Sequence, residues 1–425
     1  MARHEHPGTA APEAAPDALR PPPGHPRFPL VDGLRAIAAL AVLVTHTAFL
    51  SGFNGHGELG AITARLDVGV ALFFVISGFL LYRPFVAARL EGRRRPRARR
   101  YLRRRALRIL PAYWLALTVL AIWPGLARVH TGDWWIYYGL LENLRVPWIE
   151  GGLKAAWSLC VEVQFYLLLP VYALACARWL AGRSAAVQAR AEYGLLTFLA
   201  ALSLLVRTLS FADRSPDTVS STIAGTFTWF ALGMGVAVAS VRWHATPIAD
   251  RPAALRLVAR RPALAWLGSG ALLLLVTRIG MPTTDIISYD DNDWFFGHLL
   301  YGAIAITFAA PAMLGDPARG GLPARVLGWR PVAWLGLISY GVFLWHQPLC
   351  EKLLGVQDWT THGSFVVYTA VVAVAATACA TASYYLVERP LLRFKDPRPP
   401  APIPAGSSAR ARASARAAPE ASPSR

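Results

Sequence analysis

The apolar stretch "VDGLRAIAALAVLVTHTAFL", residues 31–50, carries Arg35 and His46. A helix of this length and composition can cross a bilayer, where ionisable side chains are costly and mark functional sites. The two residues lie eleven positions apart. As a helix this is three turns plus roughly 20°, which puts both side chains on one face, roughly 16 Å apart along the axis. Imidazole titrates near neutrality and can act as a general base, whereas a guanidinium holds anions.

Other apolar stretches add to this pair. Glu162 in "WSLCVEVQFY" (157–166) lies about 9 Å into a span beginning at Ala156, close to the depth of His46. His346 in "SYGVFLWHQP" (339–348) falls in the outer half of a later span, and His298 and Arg207 sit near the outer ends of theirs. A histidine and a glutamate at matching depth make a general-base pair, with the carboxylate holding the tautomer. Glu162 is therefore expected beside His46. An inner set comprises Arg35, Arg105, Arg108 and Glu388. Arg105 and Arg108 are i,i+3 neighbours, and two guanidiniums on one face can hold a phosphate bidentately. Plainer readings stand beside these. A lone histidine can be a helix–helix hydrogen-bond partner, and Ser77-Gly78 in "FFVISGFL" can serve close packing. Glu162 can pair with Arg207, Glu388 with an inner arginine, and His298 reads as structural.

The elements that must position these residues are membrane helices. The chain has 425 residues, 55% of them hydrophobic and 16% charged, where soluble domains carry about 25% charge. Mean hydropathy is +0.37. The expected fold is an all-α integral membrane protein with ten transmembrane helices at 29–50, 66–88, 105–127, 156–180, 192–210, 222–241, 262–280, 294–314, 332–354 and 364–388. The segment 89–108 holds eleven arginines, which places it in the cytoplasm by the positive-inside rule. Ten spans then put both termini in the cytoplasm. Residues 1–28 form a Pro/Ala-rich segment without the features of a cleavable signal, and 393–425 a basic Pro/Ala/Ser tail. Both are expected to be disordered, flanking one membrane domain over 29–392. The outer loop 128–155 is rich in Trp and Tyr, which suits a short interfacial helix.

Composition narrows the function classes. Cys160, Cys176, Cys350 and Cys379 form no CxxC and sit in or beside apolar stretches, so they read as buried filler, with no metal site expected. The basic run follows a span and lacks interleaved aromatics beyond Tyr101, which argues against nucleic acid. Arginine and alanine richness with scarce lysine points to a GC-rich bacterial genome, hence to a bacterial inner membrane.

The motifs in order are "DGLRA" with Arg35 and His46, "FFVISGFLL" (73–81), "RRALRILPAYW" (104–114), "WSLCVEVQFY", "SYGVFLWHQP" and "ERP" (388–390). Together they resemble the acyltransferase-3 family of integral membrane acyltransferases over about residues 30–392. The resemblance implies a ten-helix core and transfer of an acyl group, most commonly acetyl, from acyl-CoA to a hydroxyl. It matches His46 to the catalytic histidine, Arg35 to its motif partner, and Arg105 and Arg108 to the donor-binding pair. Glu162, Ser77, Tyr166, Tyr340 and His346 fall on motif positions in supporting roles. Acyl-CoA is then a substrate rather than a bound cofactor. The acceptor is a carbohydrate, a cell-envelope glycan or a macrolide-type metabolite, with membrane lipids as surroundings. Some members carry a fused SGNH hydrolase-like domain, and the short tail here leads us to expect none. The competing class is a multi-pass transporter or flippase of a polar substrate, since intramembrane His, Glu and Arg also mark transport pathways. Such proteins tend to show internal repeats or paired broken helices, and neither stands out in the sequence.

Overall fold

The computed structural model describes residues 28–212, 219–243, 246–247, 251–279, 291–314, 320–355 and 364–395. The expected tails over 1–27 and 396–425, and most of the acidic loop 281–293, lie outside the described residues. Among the described residues the regular structure is helical throughout. In chain order the helices are α1 (Val31–Leu50), α2 (Gly57–Thr63), α3 (Val68–Leu90), α4 (Ala98–Leu120), α5 (Trp134–Tyr138), α6 (Val146–Ile149) and α7 (Trp157–Trp179). There follow α8 (Ala185–Ala212), α9 (Ile223–Arg242), α10 (Ala253–Arg260), α11 (Pro262–Val276), α12 (Asp291–Leu314), α13 (Gly321–Gly328), α14 (Arg330–Leu354) and α15 (Ser364–Ser383). The last runs on through a π-helical turn, Tyr384–Glu388.

About ten spans were expected, and the all-helical membrane architecture agrees. Among the described residues eight helices are long and apolar enough to cross a membrane, and a ninth arises if α13 and α14, bent by 59° at their junction, are taken together. The segment expected to span at 262–280 forms α11, only 15 residues long. At helical rise this covers roughly 22 Å, short of a hydrocarbon core of about 30 Å. Its apolar run stops at Val276 against Thr277 and Arg278.

Within a bilayer, helices pack through close backbone approach rather than apolar transfer. Helix α1 shows this most clearly, lying against α3, α14 and α15. A side chain at Gly33 would collide with the Leu327 backbone, one at Gly336 with the Asp32 carbonyl, and one at Gly69 with the Ala38 carbonyl. Helices α3 and α9 mesh reciprocally: Gly78 faces Phe230 and Gly233 faces Val75, backbone to backbone. These approaches hold Arg35 and His46 against fixed neighbours.

The segment between α4 and α7 is tied down by polar contacts. The Tyr113 hydroxyl donates to the Tyr137 carbonyl at 2.7 Å and faces Glu142 at 3.1 Å. Asn143 donates to the Ser221 carbonyl at 2.7 Å, and Gln164 links Asn143 to the start of α9. Glu142 is fully buried, and desolvation pushes its carboxyl up to about 7.

Two expectations follow. Replacing Gly336 by valine wedges α14 away from α1, with an overpacking cost of about 1–3 kcal/mol, read as a lower melting temperature in detergent. Because the Glu142 carboxyl is raised in the folded state, the stability it contributes is present at acid pH and lost as pH climbs from about 5 towards 7. The wild type therefore loses stability over that window relative to Glu142→Gln, by up to about 1 kcal/mol per pH unit, as measured by chemical denaturation against pH.

Candidate active site

Five helices enclose the arginines of α1 and α4. A cavity of about 300 Å³ is lined by Arg35 from α1, Phe73 and Ser77 from α3, Arg105 and Arg108 from α4, Glu162 and Tyr166 from α7, and Tyr340 and Phe343 from α14. The N-terminal half of α4 is arginine-rich, while further along Ile109, Ala112, Tyr113, Ala116 and Leu117 are buried. Arg105 and Arg108 lie at i, i+3, i+4 and i+7 spacing with these residues, on the same face, which turns both guanidiniums into the bundle. The Tyr340 hydroxyl donates to the Ile109 carbonyl at 3.0 Å and so pins α14 to α4.

Inside the cavity three guanidiniums meet one carboxylate. The Ser77 hydroxyl donates to Glu162, and Tyr166, one turn on from Glu162, faces the same carboxylate. The Arg105 guanidinium sits 5.9 Å from the Tyr166 ring centroid, and Arg35 lies 4.0 Å from Asp32. Glu388 accepts from Ser383 at 3.4 Å and is within electrostatic reach of Arg108 and Arg35.

His46 and His346 form a second centre. The His346 Nε2 lies 3.1 Å from the His46 Nδ1, with ring centroids 5.0 Å apart. The His46 Nδ1 also lies 2.8 Å from the Val42 carbonyl, and the His346 Nδ1 lies 2.7 Å from the Phe343 carbonyl. A carbonyl oxygen only accepts, so in the neutral rings each Nδ1 carries the proton. His346 then presents its Nε2 lone pair to the His46 Nδ1–H. The His46 Nε2 is left as a lone pair, which is the form a general base requires. Phe343 joins the two centres: it lines the cavity and packs 5.6 Å from the His346 ring, with Phe73 6.1 Å away.

The expected pairing of Glu162 with His46 is not what the structure shows. Equal depth does not determine which way a side chain faces. Glu162 and Tyr166 share an i,i+4 face turned to α3 and α4, so the carboxylate belongs to the arginine cavity. His346 takes the place beside His46 because α14 runs along α1. Nor does Glu162 meet Arg207, which donates to the Gly225 carbonyl at 3.4 Å and lies 5.7 Å from the Trp294 ring. His298 stacks on Trp229 with centroids 4.3 Å apart. In "SG", Gly78 packs against Phe230, as the close-packing reading expects, while Ser77 points to Glu162. Phe73 and Phe343 were missed by the sequence reading. The available signal was spacing, since Phe343 precedes His346 by three residues and shares its helical face.

Comparison with known proteins agrees with this architecture. The profile of the acyltransferase domain of the acyltransferase-3 family matches residues 28–385. The chain belongs to that family of multi-pass membrane proteins. It is 26% identical over 384 residues to the peptidoglycan O-acetyltransferase OatA of Listeria monocytogenes, covering 85% of this chain and 55% of that protein. It is 28% identical over 393 residues to the putative peptidoglycan O-acetyltransferase YrhL of Bacillus subtilis, covering 86% and 55%. The O-acetyltransferase OatA of Staphylococcus aureus is 25% identical over 384 residues, covering 86% and 57%. The chain thus spans just over half the length of these relatives. No solved structure matches it.

An excess of guanidinium over carboxylate makes the cavity an anion site. Inorganic pyrophosphate should raise the melting temperature of the wild type in detergent. The Arg105→Ala, Arg108→Ala double variant should lose that shift, with at least tenfold weaker binding, since charge-assisted hydrogen bonds contribute about 1.5–3 kcal/mol each.

Proposed function

We propose that this chain is a membrane O-acyltransferase that moves an acetyl group from acetyl-CoA to a hydroxyl of a cell-envelope glycan in the bacterial inner membrane. The observation that carries this reading is the arrangement of the two centres. An arginine cavity and a histidine base lie on one bundle, with Arg35 and His46 separated by roughly 16 Å along α1. An extended pantetheine arm spans such a gap. The acetyl group and the glycan acceptor are taken from the names of the relatives, peptidoglycan O-acetyltransferases among them.

In this reading Arg105 and Arg108, with Arg35, grip the CoA phosphates, and the arm rises past Phe73 and Phe343 towards His46. The His46 Nε2 takes the proton of the acceptor hydroxyl as its oxygen attacks the thioester carbonyl. The new C–O bond forms, the C–S bond breaks, and His46 returns the proton to the departing CoA sulfur. His346 holds the His46 tautomer and shares the imidazolium charge through its Nε2, the part a carboxylate plays in serine hydrolases. Glu162, held by Ser77 and Tyr166, balances the guanidiniums and keeps them in place. The arginine-rich stretch preceding α4 faces the cytoplasm, where CoA is found. Glu388 near the last helix's end reaches both Arg108 and Arg35 near the start of α1, which supports placing both ends of the chain on that same side.

The test is transfer from radiolabelled acetyl-CoA to soluble peptidoglycan fragments by protein in nanodiscs. His46→Ala should lower kcat by about 10²–10⁴, the range general-base catalysis supplies, with acetyl-CoA binding retained. His346→Ala should lower kcat by about 10², with KM for acetyl-CoA unchanged. Full activity in His46→Ala would overturn the mechanism.

A further inference from the structure

The arginine cavity accounts for one substrate only. The other must approach the His46 Nε2, and the outer end of α14 is the neighbouring surface. Five residues beyond His346, roughly 7 Å further along the axis, α14 carries Glu351. Glu351 is the charged residue within electrostatic reach of His46. Its carboxylate lies 3.2 Å from the Lys154 ammonium, which arrives from the turn before α7, and the two side chains are 43% and 40% exposed. The next residue, Lys352, places its ammonium 5.6 Å from the ring centroid of Trp123, itself 61% exposed.

This mouth differs in kind from the cavity below. Lys154 and Lys352 are two of only three lysines among 43 basic residues, the rest being arginine. Arginine forks onto phosphate, whereas lysine is a compact donor on a flexible stem. The Lys154–Glu351 pair offers donors and acceptors together, which suits a hydroxyl-bearing ligand, while Lys352 is turned to the Trp123 ring. A surface ion pair contributes only about 0–1 kcal/mol of stability, so fold maintenance is a weak reason for it. An exposed indole beside it gives a flat apolar face of the kind that covers the C–H face of a sugar ring.

We propose that Lys154, Glu351 and Trp123 form the acceptor entrance, binding a neutral, hydroxyl-bearing sugar ring above His46 on the side opposite the arginine cavity. The two substrates then reach the histidine from opposite ends, the donor through guanidiniums and the acceptor through the lysine–glutamate mouth. This proposal rests on the acyl-transfer reading, and its test separates the two.

Glu351→Gln, Lys154→Met and Trp123→Ala are each assayed in nanodiscs with acetyl-CoA and soluble uncrosslinked peptidoglycan fragments. Binding of the fragments alone, without acyl-CoA, is followed by saturation-transfer NMR. Each variant should raise the acceptor KM about tenfold and weaken fragment binding to match. KM for acetyl-CoA and melting temperature should stay as in the wild type. A wild type that transfers acetyl while the variants keep its acceptor KM overturns the entrance and leaves the transfer reading standing. A change in KM for acetyl-CoA instead would put these residues on the donor path and equally overturn it. Fragment binding that depends on the three residues without any transfer supports the entrance and sinks the transfer reading. A wild type that neither binds the fragments nor acetylates them overturns both.

Discussion

An ionisable group inside a membrane bundle must find a partner, and nearly everything in this structure follows from that demand. Burying an unpaired charge or hydroxyl in a medium without water costs several kcal/mol. Several such groups therefore help to set which helices lie side by side, whereas buried His298 only stacks on Trp229. Glu192 on α8 receives both Arg89 and Tyr82 from α3. Ser77 and Glu162 join α3 to α7. Tyr301 on α12 donates to Asp67 at 2.5 Å, at the head of α3. His46 and His346 join α1 to α14. The polar contacts that could do chemistry are also the contacts that set helix order.

Small residues make those contacts reachable. A side-chain hydrogen bond across two helices needs axes close enough for short side chains to meet, and lipid supplies little force to push helices together. The glycines of α1, α3, α9 and α14 meet neighbouring backbone directly. Histidine is short, so the 3.1 Å contact between His46 and His346 needs α1 and α14 to stay close along their length, as they do from Asp32 and Gly336 onward. Packing and chemistry thus share one geometric origin.

The bundle also separates two electrostatic environments. Towards the arginine-rich end, three guanidiniums share one carboxylate around a cavity. Beyond a layer formed by Phe73 and Phe343, the histidines sit among apolar surroundings, and a balanced Lys–Glu pair lies past them. A transferase that takes a polyanionic donor and a hydroxylic acceptor needs such a division, because it keeps each substrate from occupying the other's place.

Much of this was legible in the sequence because it depends on local periodicity. Helical spacing put Arg35 and His46 on one face and paired Arg105 with Arg108, and long apolar runs marked most of the membrane helices, which hold whatever the neighbours are. At 262–280 the described helix is 15 residues long, shorter than the apolar run suggested. The partner of His46 was beyond reach as well. Depth along an axis can be counted from sequence, but the direction a side chain faces in the assembled bundle depends on how several helices rotate against one another. That rotation is set by glycine contacts and hydrogen bonds between residues as far apart as positions 46 and 346. The sequence by itself determined the membrane helices and the chemical types they carry. Only the tertiary structure assigned Glu162 to the arginines and His346 to His46, because those choices are made by packing across the chain.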